Sequence, residues 1–163
     1  MLIAIVADTH LPRGERRLPD RCIAHLRSAE LILHAGDVST VSALEEISAL
    51  GPPVVAVHGN VDEDALVERL PTQLELEIDQ IRVAMTHDGG PARGRLARLR
   101  RRFPCADAVV FGHSHVPLLD SRDGFQIFNP GSPTDRRRQG QHTMGLARVE
   151  RGALDFEHVQ LGR

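Results

Sequence analysis

Short apolar segments recur along the first two thirds of the chain, and each resembles a β-strand that is buried on both faces. There are five such segments, at residues 2–7, 31–33, 54–57, 83–85 and 108–111. Helical patterns separate most of them, at residues 18–29, 41–50, 62–70 and 92–103. Because alternating strands and helices form β-α units with parallel strands, the first half of the chain is predicted to be α/β.

The later part of the chain has a hairpin pattern. Residues 74–78 and 81–85 flank Asp79-Gln80, and two further hairpins are predicted to turn at Asp123-Gly124 and Arg151-Gly152. A parallel half followed by antiparallel strands predicts two sheets packed face to face with helices outside. The 163 residues are expected to form a single domain.

Composition excludes several classes of chemistry. All 20 basic side chains are arginine, so mechanisms that need lysine, such as the Walker A phosphate loop and Schiff-base catalysis, are excluded. The two cysteines, Cys22 and Cys105, are far apart in sequence and predict neither a disulfide framework nor a thiolate zinc site. Both are expected to be small core residues.

The hydropathy of the chain indicates where in the cell the protein is expected. The first apolar segment is far shorter than the roughly 20 residues of a membrane span, and no basic region precedes it as in a secretory signal. A soluble, cytoplasmic protein without a membrane partner is therefore expected.

Polar residues that can bind metals follow all five apolar segments. The five sequences are Asp8-Thr9-His10, His34-Ala35-Gly36-Asp37, His58-Gly59-Asn60-Val61-Asp62, Thr86-His87-Asp88 and Gly112-His113-Ser114-His115. Because parallel strands have their carboxyl ends at one edge of a sheet, these side chains are expected to converge there. Buried carboxylates and imidazoles need a compensating charge, and this mixture of ligands suits manganese, iron, zinc or nickel.

Each motif alone has a simpler structural interpretation. An Asp-x-His sequence is often a turn or helix cap, and Asp62 is equally compatible with capping the helix that follows it. The recurrence of such groups after five separate strands is what favours a metal site.

The order of these motifs resembles the calcineurin-like metallophosphoesterases. The chain length and the sequence Asn129-Pro130-Gly131-Ser132 are similar to the small prokaryotic phosphodiesterase branch, which includes the small retromer subunit. The resemblance implies a four-layer α/β/β/α sandwich of two mixed sheets with flanking helices, built around two divalent metal ions. Manganese is the metal expected first, with nickel, iron and zinc as alternatives.

The resemblance also implies which residues bind the metals. Asp8, His10, Asp37 and His115 correspond to the ligands of one metal. Asp37, Asn60, His87 and His113 correspond to the ligands of the second, with Asp37 as the bridge. Asp37, Asn60 and His113 are expected to contribute most directly to catalysis.

The implied activity is hydrolysis of small phosphodiesters or nucleotides by attack of a metal-bridging hydroxide on phosphorus. Two cations about 3.5 to 4 Å apart lower the pKa of a shared water toward about 7 and neutralise phosphoryl charge. One alternative is a non-catalytic protein-binding scaffold like the retromer subunit, in which the bridging position is not aspartate. Asp37 favours catalysis. A nuclease is the other alternative.

Two positions depart from the family pattern. Val61 stands where many relatives have a histidine near the leaving group, so the proton donor is unassigned; His58 is close in sequence but is predicted to point elsewhere. Gly89 replaces a second histidine, which predicts altered substrate contacts without loss of the metal.

Several further groups have candidate roles. The arginines of residues 93–102 are interpreted as a solvated helix face, and the net charge of −2 argues against nucleic acid as a partner. Residues 136–138 are candidates for phosphate contact, as are backbone amides at Gly112 and residues 129–132. The expected partner is a small phosphoester, for a monomer or a homo-oligomer.

Overall fold

Two five-stranded sheets form the centre of the protein. The computed structural model describes residues 1–12, 14 and 16–162. The first sheet has the spatial order β10 (Ala153–Gly162), β9 (His142–Glu150), β1 (Leu2–Val6), β2 (Leu31–Ala35) and β3 (Val54–Val57). Strands β1, β2 and β3 are parallel, whereas β9 is antiparallel to both of its neighbours.

The second sheet is also mixed. Its spatial order is β4 (Gln73–Ile78), β5 (Ile81–Thr86), β6 (Ala108–Val110), β8 (Phe125–Asn129) and β7 (Leu118–Arg122). Strands β5, β6 and β8 are parallel, and β4 and β7 form antiparallel edges.

The described residues form four helices, of which the first, second and fourth cover the outer faces of the sheets: α1 (Asp20–Ser28), α2 (Val41–Ser48), α3 (Asp64–Arg69) and α4 (Arg95–Arg102). Leu26 of α1 and Ile47 of α2 pack on the outer face of the first sheet, and Leu99 of α4 packs on that of the second. A third apolar cluster lies between the sheets and includes Ile5 and Val83. The predicted four-layer α/β/β/α sandwich is therefore confirmed.

The three predicted hairpins are confirmed at their turns. Both central residues of each turn have positive φ: 48° and 70° at Asp79-Gln80, 51° and 78° at Asp123-Gly124, and 52° and 75° at Arg151-Gly152. Positive φ at both positions is the geometry of the type I′ turn, whose twist matches that of paired antiparallel strands.

The prediction that all five strand ends share one sheet edge is wrong. Strands β1, β2 and β3 belong to the first sheet, and β5 and β6 belong to the second. Strand β4 does not pair with the first sheet. It pairs with β5 and forms the edge of the second sheet. The motifs consequently meet across the two packed sheets.

Smaller differences concern element ends and one cysteine. Helix α3 begins at Asp64, which leaves Asp62 outside it, and α4 begins after Gly94, whose φ is 70°. Cys22 is buried as expected, but Cys105 is exposed, so its prediction as a core residue is wrong. Within the described residues, no helix has both the length and the apolar character that crossing a bilayer requires.

Candidate metal centre

The loops after β1 and β2 continue side by side beyond the strands. The amide of Asp8 donates to the carbonyl of Gly36 at 3.0 Å, and the amide of His10 donates to that of Asp37 at 3.0 Å. These bonds bring the first two motifs into register. The side chains of Asp8, His10 and Asp37 therefore project from neighbouring backbone segments.

Five residues of the predicted site have left-handed backbone conformations. The φ angles are 55° for Asp8, 47° for His10, 57° for Asp37, 68° for His113 and 58° for His115. Such conformations are uncommon for residues other than glycine and cost about 1 kcal/mol or more each. Their concentration in three loops indicates that the surrounding structure holds these side chains in a functional arrangement.

The first group of metal-binding atoms comes from Asp8, His10 and His115, whose potential ligand atoms lie within 4.8 Å of one another. The two imidazole Nε2 atoms are 3.2 Å apart, and Nε2 of His115 lies 3.5 Å from Oδ1 of Asp8. All three side chains are buried. This group spans both sheets, because His115 follows β6.

The second group comes from Asp8, Asp37 and His87, again within 4.8 Å. Nε2 of His87 lies 3.3 Å from Oδ2 of Asp37, and the same oxygen lies 3.8 Å from Nε2 of His10. Oδ2 of Asp37 is therefore adjacent to a histidine of each group. Asp8 is also shared, since its Oδ1 lies 4.0 Å from Nε2 of His87.

Asn60 and His113 complete the cluster at its exposed side. Oδ1 of Asn60 lies 3.1 Å from Nε2 of His87 and 2.9 Å from Nδ1 of His113. The backbone amide of His113 donates to Oδ1 of Asp8 at 3.2 Å. The structure thus brings together all seven residues predicted as ligands: Asp8, His10, Asp37, Asn60, His87, His113 and His115.

Backbone carbonyls fix the orientation of two of the histidine rings. Nδ1 of His87 donates to the carbonyl of Ala35 at 2.8 Å, and Nδ1 of His115 donates to that of Asp135 at 2.6 Å. These bonds turn each Nε2 toward the carboxylates, which is how proteins orient metal-binding histidines. Asp135 has no motif around it and was not predicted from the sequence.

The pKa values of the buried groups are strongly perturbed. Burial raises the pKa of Asp8 to about 7, although the charge of His87 opposes this shift. Burial alone would raise the pKa of Asp37 as well, but hydrogen bonding and charge from His87 lower it to about 2. The Asp37 carboxylate raises the pKa of His87 against the effect of burial, whereas burial lowers that of His115 to about 4.

Asp62 does not cap α3, whose capping position is Glu63. Its carboxylate instead accepts hydrogen bonds from the backbone amides of Asp37 at 3.2 Å, Ser39 at 2.6 Å and Gly59 at 2.7 Å. Asp62 is consequently a positioning residue that ties the Asp37 loop to the Asn60 loop.

The predicted phosphate-binding amides are largely engaged within the protein. The amide of Gly112 donates to the carbonyl of His87 at 2.9 Å, and the amide of Gly131 donates to the Asn129 side chain at 2.8 Å. The Ser132 hydroxyl donates to the carbonyl of Asp8 at 2.8 Å. The expectation that the Gly112 amide contacts phosphate is therefore wrong. The loop of residues 129–132 supports the segment that carries Asp8.

The arginine-rich segment agrees in part with its interpretation as a solvated face: Arg93, Arg100, Arg101 and Arg102 are exposed, whereas Arg95 and Arg98 are half-buried. Arg95 donates to the carbonyl of Gly90, and Arg98 donates to those of Gly89 and Pro91. These bonds anchor the loop that follows His87. Outside this helix, the positive charge of Arg137 acts on both Asp8 and His115.

His58 lies beside the site. It lines a pocket with Asn60, His87 and His113, and its Nε2 lies 3.2 Å from the Thr72 hydroxyl. Its Nδ1 lies 3.2 Å from the carbonyl of the neighbouring Gly59, so the contacts of both ring nitrogens lie outside the cluster of metal-binding side chains. Neither Thr72 nor the pocket itself produces a recognisable signal in the sequence.

One buried oxygen indicates that this cluster suits cations. Within the described residues, Oδ2 of Asp8 is buried without a hydrogen-bond partner. An unsatisfied buried carboxylate oxygen is costly, and a divalent ion would satisfy it. The buried carboxylates, imidazoles and amide oxygen form a donor set without thiolate, as expected for manganese, iron, zinc or nickel.

Comparison with known proteins gives the same family. Residues 1–152 match the family model described as the calcineurin-like phosphoesterase superfamily domain. A probable metallophosphoesterase of Methanothermobacter thermautotrophicus is 35% identical over 164 residues, covering 99% of this chain and 94% of the relative. A phosphodiesterase of Methanocaldococcus jannaschii is 22% identical over 147 residues, covering 80% of this chain and 83% of the relative.

A solved structure shares the whole fold. The zinc complex of wild-type Vps29 from Entamoeba histolytica superposes with a TM-score of 0.78 at 20% identity, covering 99% of this chain and 100% of the other. This likeness concerns the fold, whereas the family match covers the loops that hold the metal-binding groups. The chain belongs to the calcineurin-like phosphoesterase superfamily.

Proposed function

We propose that this protein is a dinuclear metal-dependent phosphodiesterase that hydrolyses small phosphodiesters or nucleotides. The observation that carries the proposal is the pair of buried groups that share Asp8 and are linked by Asp37, whose Oδ2 belongs to the second group and also lies 3.8 Å from His10 of the first. Two divalent cations, manganese first among them, would activate a water for attack on phosphorus and neutralise charge on the phosphoryl oxygens when bound.

The protein's own residues divide into three tasks in this proposal. Asp8, His10, Asp37, His87 and His115 bind the cations from a buried position, and Asn60 and His113 do so at the exposed side, where substrate enters. Asp37, Asn60 and His113 are the residues closest to the reacting groups. Asp62, Asp135 and Ala35 hold the loops and rings in place through hydrogen bonds.

Electrostatics support an anionic substrate. Burial is the main cause of the raised pKa of Asp8 and of the lowered pKa of His115, and the positive charge of Arg137 opposes the first shift and adds to the second. A phosphodiester approaching the exposed Asn60 and His113 would be attracted by this charge. Arg137 is thus the member of residues 136–138 that we propose to act on substrate.

A non-catalytic scaffold is the second candidate, because the fold is shared with Vps29. The full set of seven proposed ligands argues against it, since a scaffold has no need for buried carboxylates held in left-handed backbone conformations. A nuclease would use the same chemistry and would differ only in substrate size.

The proposal is tested by hydrolysis of bis-p-nitrophenyl phosphate, p-nitrophenyl phosphate and cyclic nucleotides with Mn, Ni, Zn or Mg. We expect metal-dependent turnover that is highest for a diester and is lost on chelation. The Asp37→Asn variant is the matched control for contaminating phosphatase. Absence of turnover with every metal, or equal turnover by the variant, would contradict the proposal.

A further inference from the structure

A pocket of about 290 Å³ opens beside the exposed side of the metal centre. Asn60, His87 and His113 form one part of its wall, and neither Asp8 nor Asp37 lines it. Its volume is roughly ten times that of one water molecule in the liquid. The pocket therefore has room for a substrate group beyond the one that contacts the metals.

Arg102, the last residue of α4, lines this pocket from the second sheet. Its Nε donates to Oε1 of Gln73 at 2.8 Å, and its Nη1 lies 3.4 Å from the carbonyl of Asp88. The guanidinium carbon also lies 5.2 Å from the centre of the Phe103 ring. These contacts hold the guanidinium at the pocket rim.

The Arg102 guanidinium retains unused donors and an unneutralised charge. Within the described residues it bonds only to neutral oxygens and pairs with no carboxylate. A guanidinium has five N–H donors, and the hydrogen bonds above engage only two of its nitrogens. Its planar fork matches the oxygens of a phosphate.

The other polar side chains near the pocket satisfy one another. Nδ1 of His58 lies 3.2 Å from the Gly59 carbonyl and donates to it, so Nε2 accepts the Thr72 hydroxyl proton at 3.2 Å. Asp88 is the one carboxylate among the described lining residues, and its Oδ1 accepts from the Gly90 amide at 2.6 Å. Arg102 is therefore the lining group with the strongest free capacity for an anion.

We propose that Arg102 forms a subsite for a second phosphate group of the substrate, next to the phosphate that is cleaved. The inference rests on the proposed function and extends it, because it selects phosphodiesters with a further phosphate, such as a dinucleotide phosphorylated at one end. Asp88 limits the affinity of this subsite through its negative charge.

Ligand binding tests the subsite independently of turnover. Adenosine 3′,5′-bisphosphate and adenosine 5′-monophosphate are titrated by calorimetry into the manganese-loaded protein. We expect the bisphosphate to bind about tenfold more tightly than the monophosphate, which is a moderate gain for a charge-assisted contact at an exposed arginine. In Arg102→Ala this ratio should fall close to one, and in Asp88→Asn it should rise.

Arg101→Ala is the matched control, since Arg101 is the neighbouring exposed arginine of α4 and does not line the pocket. It should keep the wild-type ratio. An unchanged ratio in Arg102→Ala, or an equal loss in Arg101→Ala, would overturn the subsite, as would a wild-type ratio of one.

Kinetics connect the subsite to substrate choice. A dinucleotide with a 5′-phosphate should have a higher kcat/KM than the same dinucleotide without it, and Arg102→Ala should remove most of that difference. If the wild type did not hydrolyse bis-p-nitrophenyl phosphate, the proposed function would be contradicted. The ratio of bisphosphate to monophosphate affinity would still show whether the subsite exists.

Discussion

Oδ1 of Asp37 accepts a 3.0 Å hydrogen bond from the backbone amide of Val61. This bond fixes the carboxylate plane and leaves Oδ2 facing both His10 and His87. A single oxygen of Asp37 therefore stands between the two groups of metal-binding atoms. Val61 contributes to the site through its backbone, although its side chain carries no group that can donate a proton.

Replacing Asp37 by asparagine tests this arrangement. Asparagine retains an oxygen for the Val61 amide but places no full negative charge between the two groups. We expect turnover of bis-p-nitrophenyl phosphate to fall at least about a hundredfold, or about 2.7 kcal/mol in the barrier. Circular dichroism should show an unchanged fold. Full activity in this variant would contradict the dinuclear proposal.

Asp8 is predicted to destabilise the metal-free protein at alkaline pH. Its pKa is raised from 3.8 to about 7 in the folded state, so the folded protein holds this proton more tightly than the unfolded chain does. The contribution of Asp8 to stability is therefore full below the unfolded pKa and is lost as pH rises through about 7.

The Asp8→Asn variant isolates this effect because asparagine resembles the neutral acid. In the presence of chelator, we expect the stability of the variant relative to wild type to rise by at least about 1 kcal/mol between about pH 5 and pH 8. Chemical denaturation at several pH values measures it. A difference that does not vary with pH would show that Asp8 is already ionised at pH 5. Added manganese should stabilise the wild type more than the variant.

Gly59 is predicted to be required for the position of Asp37. A Cβ atom at residue 59 would overlap the carboxylate and the backbone nitrogen of Asp37, so the two loops would have to separate. We expect Gly59→Ala to lower stability by about 1 to 3 kcal/mol and manganese affinity at least about tenfold. Gly140→Ala is the control, because a Cβ there meets no atom within 4 Å. Similar behaviour of the two variants would refute this role.

Because the Val61 side chain cannot donate a proton, the hydrolysis rate is predicted to depend on the leaving group. General acid catalysis is commonly worth about 10² to 10⁴ in rate, and its absence is felt most by esters with poor leaving groups. The rate should therefore depend steeply on leaving-group pKa across substituted phenyl and alkyl phosphodiesters. A shallow dependence with rate-limiting chemistry would reveal an acid elsewhere, and His58→Ala would then be the first variant to measure.

The arginines of α4 are not expected to bind long nucleic acids. Arg95 and Arg98 are engaged by the carbonyls of the neighbouring loop, and Arg100 lies 3.8 Å from the Asp123 carboxylate. Affinity for duplex DNA or RNA should therefore be weak, and replacing Arg93, Arg100 and Arg101 by alanine should not change its salt dependence. A steep salt dependence that disappears in the triple variant would favour the nuclease.

Strand periodicity predicted the layers of this fold because buried segments and type I′ turns depend on local sequence. The meeting of β1 and β6 motifs across two sheets was not predictable in this way, since sheet membership depends on long-range pairing. The convergence of Asp8 with His115 was expected from a shared sheet edge and from the resemblance, whereas the structure brings them together across two sheets.

The residues that position the site or line its pocket show more clearly what the sequence alone cannot predict. Asp62 was equally compatible with a helix cap, and only the position of α3 shows that its carboxylate binds three loop amides. Asp135 orients His115 through its backbone carbonyl, a contact that side-chain patterns do not reveal, and its carboxylate also lies 3.9 Å from Nδ1 of His115. Arg102 was one of many arginines in its segment, and its free donors become evident only from the contacts of its neighbours.

The placement of the site across two sheets links ligand occupancy to the mechanical integrity of the sandwich. Asp8 and Asp37 leave the first sheet and His87 and His115 leave the second, so cations held by the two groups would fasten one sheet to the other. Any fluctuation that parts the sheets would then have to release the cations first. On the proposed function, occupancy would therefore suppress these opening motions and increase resistance to proteolysis.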